Sequence, residues 1–319
     1  MFKRLFLSLI LFIFLAASPV YSYWIWTPKT GKWVNPKTAV KTNPKEQFTY
    51  AKEFYDGKKY DDAVREFKKL VKAYPKSFEA SEAQYYLGLT EEARGKLYEA
   101  FQAYQHVIDK YPFSERIQEI IEREYKIGEL FMSGEKRKAL GLTLPVENPS
   151  IEIFTKVVEN STFGPLAPKA EYKLGLVLKS LTRYYEAEDA FNKVISNYPT
   201  SEWVEPSKFQ IASCRAAVSR GPDYDQGAAE EAKQKFEEFV KDHPDAVLTA
   251  EAQKNLNELR EKDAQSVYNI AAFYEKQKEF NAAKIYYNEV MNNYPDSPWA
   301  AKAMAKIQVM EKKDEKKKK

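Results

Sequence analysis

The chain has 319 residues, 44% hydrophobic and 30% charged, with a formal net charge of +4. Setting aside Lys3, Arg4 and the lysine-rich tail from Glu311 leaves a body close to neutral, which excludes a nucleic-acid-binding surface. The one cysteine, Cys214, excludes an intramolecular disulfide, and His106 and His243 have no Cys or second His at metal-ligand spacing. There is no Gly-rich phosphate loop, nucleophile elbow or HExxH. The sequence therefore reads as a non-enzyme that needs no cofactor.

Residues 1–22 read as a signal peptide. Lys3 and Arg4 precede an apolar run from Leu5 to Ala17, too short for an ordinary membrane span, and Val20-Tyr21-Ser22 ends in a small residue suited to cleavage. Ala16-Ala17-Ser18 is an alternative cleavage site, and an uncleaved run would act as an anchor. The expected location is the periplasm after export, in association with the outer membrane if a partner or anchor provides it. Cys214 lies far from the cleavage site, so there is no lipobox and no lipoprotein is expected. Residues 23–43 form an aromatic N-terminal arm with Trp24, Trp26 and Trp33. Trp24 and Trp26 share one face of an extended strand, and Pro28 to Gly31 can turn the chain back. Such an arm either caps the first repeat or docks on a partner or a membrane surface, so peripheral membrane association is among the expectations.

From residue 44 to 310 one phrase returns, closed by Tyr74-Pro75, Tyr111-Pro112, Tyr198-Pro199, His243-Pro244 and Tyr294-Pro295. The stretch ending at Pro112 carries Leu87-Gly88, Ala100, Tyr104 and Val107. Leu174-Gly175, Ala187, Phe191 and Val194 repeat the spacing before Pro199, and Ile270-Ala271, Ala283, Tyr287 and Val290 repeat it before Pro295. Tyr50-Ala51, Ala63, Phe67 and Leu70 open the series. Two further copies are degenerate. One runs from Ile127-Gly128 through Phe154 and Val157 to Thr162, the other from Ile211-Ala212 through Ala232, Phe236 and Phe239 to Pro244. Small residues permit close approach of the two helices of a unit, large ones fill the space between units, and Gly57, Gly95 and Glu279-Phe280 fall where the turns belong. Insertions fall at Gly134 to Pro149, at Arg220 to Asp223 and, as extra helix, at Glu251 to Lys262.

This pattern resembles the tetratricopeptide repeat, a helix–turn–helix unit of about 34 residues. The predicted fold is all-α: a right-handed α-solenoid of about six repeats over 44–310, closed by a capping helix from Pro298 to Met310. Residues 311–319 are expected to be a charged disordered tail. In such an array the first helix of each unit lines the concave side. Two residues before each Leu-Gly pair, or the pair in its place, stands an aromatic residue: Phe48, Tyr85, Tyr125, Tyr172, Phe209 and Tyr268. Lys52 and Tyr55 flank the first rung, and Leu89, Glu92 and Met132 the next two. This ladder either receives unfolded or extended peptide segments or serves packing.

Between Asp223 and Ala300 the chain also resembles the BamD (YfiO) family of outer-membrane assembly factors. The resemblance rests on Asp223-Tyr-Asp-Gln, Ala232-Lys-Gln-Lys-Phe236-Glu-Glu-Phe239, His243-Pro244, Leu256-Asn-Glu-Leu259-Arg260, Val267-Tyr-Asn-Ile-Ala271-Ala-Phe-Tyr274 and Tyr294-Pro-Asp-Ser-Pro298. It implies a periplasmic scaffold that docks on the barrel-inserting outer-membrane protein and helps receive unfolded barrel substrates. The family's lipid-bearing cysteine is missing, and its last repeat is reduced to a single helix and a charged tail. The alternative function is a periplasmic coordinating repeat protein working with cell-wall synthesis or polysaccharide export.

Overall fold

The structure, a computed structural model, describes residues 24–28, 31–35, 39–135, 138–139, 142–143, 148–219 and 226–318. The expected signal peptide, with Tyr23, and the insertion at 220–225 lie outside the described residues. The chain divides into two compact units, Met1–Glu115 and Arg116–Lys319.

The first unit opens with an antiparallel pair, β1 (Ile25–Thr27) and β2 (Lys32–Val34), with Trp26 opposite Trp33. Gly31 takes φ 62° in the turn and donates its N–H to the Thr27 carbonyl at 2.9 Å. Two helical hairpins follow: α1 (Pro44–Asp56) with α2 (Tyr60–Ala73), and α3 (Phe78–Ala93) with α4 (Leu97–Lys110). Asn43 caps α1 by accepting the Glu46 N–H, and Ser77 caps α3 by accepting the Ala80 N–H. Ala51, Ala63, Phe67, Leu70, Ala80, Ala83 and Leu87 make one buried core across α1, α2 and α3.

In the second unit α5 (Ile117–Met132) pairs with α6 (Ser150–Asn160), α7 (Ala167–Ser180) with α8 (Tyr184–Asn197), and α9 (Val204–Ser219) with α10 (Gln226–Asp242). Then come α11 (Thr249–Lys276), α12 (Phe280–Asn293) and α13 (Pro298–Lys318). Within each unit, each helix packs chiefly on its neighbour in sequence, which is the contact pattern of a repeat array. The architecture is the all-α helix–turn–helix series that the phrase predicts.

The phrase has a physical cause at each letter. A Cβ on Gly175 would sit 2.6 Å from the Phe191 ring, and one on Gly128 would sit 2.8 Å from Phe154, so only glycine lets these helices approach. Each closing residue ends its helix with an N–H bond four residues back, from Tyr74 to Leu70, Tyr111 to Val107, Tyr198 to Val194 and Tyr294 to Val290. The proline that follows then forbids further helix. The phrase also ties successive repeats together, because the Tyr111 hydroxyl donates to the Pro75 carbonyl at 3.1 Å.

Gly57 (φ −78°) lies in the first turn, as the sequence reading has it, but the left-handed conformation there is not its own. It belongs to Lys58, and in the matching turns to Thr182 and Lys278, at φ 56°, 61° and 64°. Each is followed by a residue whose N–H reaches back five positions, as Lys59 to Phe54, Arg183 to Leu178 and Glu279 to Tyr274, and this bond holds a side-chain-bearing residue where glycine is usual. The 134–149 insertion contains a small antiparallel pair, β3 (Lys138–Ala139) with β4 (Leu142–Thr143), where the all-α reading placed no strand. The extra helix at 251–262 is fused with the first helix of the last repeat into the 28-residue α11. Finally, α13 runs on through the charged tail to Lys318 instead of ending at Met310, because a Lys/Glu-rich run has high helix propensity.

Candidate functional site

The aromatic ladder is structural at most of its rungs. Tyr85, Tyr125, Tyr172 and Phe209 are buried. Each rung packs on the large residue of its own second helix. Centroid separations are 5.9 Å for Phe48–Phe67, 6.1 Å for Tyr85–Tyr104, 5.7 Å for Tyr125–Phe154, 5.5 Å for Tyr172–Phe191, 5.8 Å for Phe209–Phe236 and 5.2 Å for Tyr268–Tyr287. Of the two readings of the ladder, packing describes the four buried rungs. The ring fills the same inter-helix gap that the small residue three positions on makes narrow. Only Phe48 and Tyr268 are half-exposed.

In the first unit the structure assembles an open aromatic surface from residues one helical turn apart. Phe48, Lys52 and Tyr55 lie along α1 and face Tyr86 of α3. Tyr86 meets Phe48 edge to face at 5.4 Å and Tyr55 likewise at 5.4 Å, and it stacks on the buried Phe67 at 5.6 Å. Lys52 lies 5.8 Å from the Tyr86 ring and bonds Asp56 at 2.7 Å; that hydrogen bond holds its ammonium above the ordinary lysine value. Leu89 and Glu92 continue the α3 face, both half-buried. The surface thus offers half-exposed rings beside one cation and one carboxylate. Such a surface can take an apolar side chain between rings and pair a backbone or terminal charge at its edge. Sequence reasoning found Phe48, Lys52 and Tyr55 but missed Tyr86. The signal was available: Tyr86 directly follows a rung, which turns it about 100° around the helix, away from the second helix of its own repeat.

In the second unit the corresponding face is ionic. The Tyr125 hydroxyl donates to Glu129 at 2.9 Å, Lys173 pairs with Glu129 at 3.3 Å, and Lys169 lies 4.9 Å from the Tyr125 ring centroid. Burial first, then the Glu129 bond, pushes the Tyr125 phenol well up. Met132 is half-buried on the last turn of α5. Lys179 donates to Gln210 at 2.7 Å, and its burial lowers its pKa.

No group of three His, Cys, Asp or Glu side chains among the described residues could hold a metal ion. Cys214 is buried in α9, and burial pushes its thiol up to about 11. A cleft of about 630 Å³ between α10, α11 and the α12–α13 turn is lined by charges that pair internally, Lys233 with Glu230 at 2.6 Å and Asp263 at 2.5 Å. No helix among the described residues is long and apolar enough to cross a membrane. Trp24, Trp26 and Trp33 stand exposed on the N-terminal hairpin.

Comparison with protein-family models agrees with this architecture. Residues 162–318 match the family model described as YfiO, outer membrane lipoprotein, and residues 49–115 match the tetratricopeptide repeat. No curated protein matches the chain. Among solved structures, the C-terminal part of a TPR repeat-containing protein from Cytophaga hutchinsonii is 21% identical, with 82% of this chain and 87% of that one covered and a TM-score of 0.36. The MamA protein is 21% identical over 63% of this chain and 92% of its own, with a TM-score of 0.34. YrrB, described as a TPR protein with an unusual peptide-binding site, is 15% identical over 75% of this chain and 97% of its own, with a TM-score of 0.32. The chain is a tetratricopeptide-repeat protein that resembles the YfiO (BamD) family over residues 162–318, a protein-interaction scaffold in kind.

Proposed function

We propose that this scaffold works in the periplasm, in the assembly of outer-membrane β-barrel proteins, and that it receives extended segments of its partners on the open aromatic surface of the first unit. The observation that carries the binding reading is the half-exposed cluster of Phe48, Tyr55 and Tyr86 with Lys52 at its edge. A β-barrel segment in extended form alternates apolar and polar side chains, so every second residue can enter between the rings while the polar edge stays at Lys52 and Asp56. The likeness of residues 162–318 to an outer-membrane lipoprotein family supports the envelope setting. A signal peptide over 1–22, an arm over 23–43 and repeats over 44–310 complete the proposed organisation.

A photo-crosslinking residue placed at Tyr86 in the native envelope tests this. Adducts with an outer-membrane barrel protein bearing periplasmic domains, or with unfolded barrel precursors, are expected. Adducts confined to cell-wall synthases or polysaccharide-export components would overturn the assembly role while leaving the binding surface in place. Absence of any adduct, in a chain with unchanged helical content, would overturn the surface itself.

A further inference from the structure

One face of the N-terminal hairpin carries three exposed tryptophan rings. Trp26 and Trp33 stand directly opposite each other, and Trp24, two residues before Trp26, shares their side of the ribbon. Trp24, Trp26 and Trp33 are 58%, 46% and 62% exposed. The Trp26 and Trp33 rings meet edge to face at 5.8 Å, which holds them as one surface. A two-stranded ribbon is marginal in water by itself, and a contiguous exposed aromatic patch marks a site of interaction.

The surrounding sequence selects the kind of partner. Lys29, Lys32, Lys37, Lys41 and Lys45 fall in or beside the arm, and no aspartate or glutamate precedes Glu46. A stretch of 45 residues without one acid is unusual in a chain whose body is balanced. Tryptophan favours the headgroup zone of a bilayer, where its apolar ring and its N–H are both satisfied, and lysine favours anionic lipid phosphates. Position along the chain agrees, since the apolar run ends at Ala17, seven residues before Trp24. The one thiol, Cys214, is buried in α9. Stable attachment generally needs two signals, and an aromatic face with a lysine cluster supplies the second to whatever supplies the first.

We propose that the face formed by Trp24, Trp26 and Trp33 lies in the headgroup zone of an anionic bilayer, with Lys41 and Lys45 against lipid phosphates. This goes beyond the scaffold reading and does not rest on it.

The test uses the full chain with vesicles of phosphatidylethanolamine and phosphatidylglycerol, with and without brominated acyl chains. Residues 1–22 contain no tryptophan. The two tryptophans of the repeats, Trp203 and Trp299, pack on Tyr172 at 4.9 Å and Tyr268 at 5.1 Å. Both are half-buried, so it is the quenching lost in the triple variant that reports the hairpin. The expected result is quenched emission from floated protein, weaker flotation without phosphatidylglycerol or at high salt, and at least about tenfold weaker partition for the Trp24→Ser, Trp26→Ser, Trp33→Ser triple variant. Unquenched emission would overturn the proposal and direct the hairpin to a protein partner. Equal flotation of the triple variant would overturn it too, by showing that the apolar run alone holds the chain.

Discussion

Glu171→Gln should stabilise the second unit, and the gain should depend on pH. In the first two repeats the corresponding place holds Gln47 and Gln84. Their side-chain amides donate to the main-chain carbonyls of Glu66 and Ala103, at 3.1 and 3.0 Å. Each acceptor immediately precedes the large residue of the second helix, Phe67 or Tyr104. In the repeat of α7 and α8 the matching acceptor position is Ala190, just before Phe191. Glu171 stands in the donor's place, 5% exposed, and its Oε1 has no hydrogen-bond partner among the described residues. A carboxylate cannot donate to a carbonyl. Burial accordingly pushes the Glu171 carboxyl above its ordinary value of 4.5, opposed in part by Lys193 of α8, while Tyr198 at the end of α8 is raised by its own burial and then by the Glu171 charge.

Restoring the amide should add one net hydrogen bond, about 1 kcal/mol, and remove a buried unpaired acceptor charge worth about 1–2 kcal/mol more. Because the folded-state pKa is raised, the wild-type carboxyl carries no penalty well below 4.5. The penalty grows as pH rises through the unfolded value and is complete above the folded one. Urea denaturation of wild type and variant at pH 4 and pH 8, with amide exchange across α7 and α8 as the local readout, should show a small gain at pH 4 and the full ~2–3 kcal/mol at pH 8. A gain of equal size at both pH values, or a loss at pH 8, would refute the assignment of Glu171 to the amide's role.

The remaining predictions concern packing and backbone. Gly175→Ala places a Cβ 2.6 Å from the Phe191 ring and should cost about 1–3 kcal/mol, read by thermal denaturation. Thr182→Gly relieves a β-branched residue at φ 61° and should raise stability by about 1 kcal/mol; no change in urea midpoint would mean the turn tolerates Thr without strain. Tyr125→Ala empties a buried rung against Phe154 and should destabilise by about 3–5 kcal/mol, where a surface residue would cost little.

What could be read from the letters follows from how local each signal is. The Tyr-Pro phrase and the Leu-Gly pairs marked helix ends and close approaches because both effects act within one repeat, and Tyr111 and Gly175 serve as read. The ladder was located correctly along the chain but not in depth. A residue's exposure depends on which side of the second helix it meets, and Tyr85 and Tyr86 differ only in that. Gly57 marked the turn without being its left-handed residue, because the bond from Lys59 back to Phe54 can hold Lys58 there without glycine. The strand pair β3–β4 and the helical tail after Met310 gave no periodic apolar pattern, and in the tail only the helix propensity of its Lys/Glu-rich run pointed to helix.

The length of α11 bears on how the C-terminal half unfolds. Its first half packs Ala252, Leu256 and Leu259 against Phe236 and Phe239, and its second half places Ala271 among Ala283, Tyr287 and Val290. Two cores thus share one continuous helix of about 42 Å, with no turn between them to act as a break. In a simple repeat array each unit can fray independently of all but its neighbours. Here a melted turn near Asp263 would strip both cores of a wall at once, so this stretch should behave as one cooperative block, stiffer along its axis than any pair of ordinary repeats.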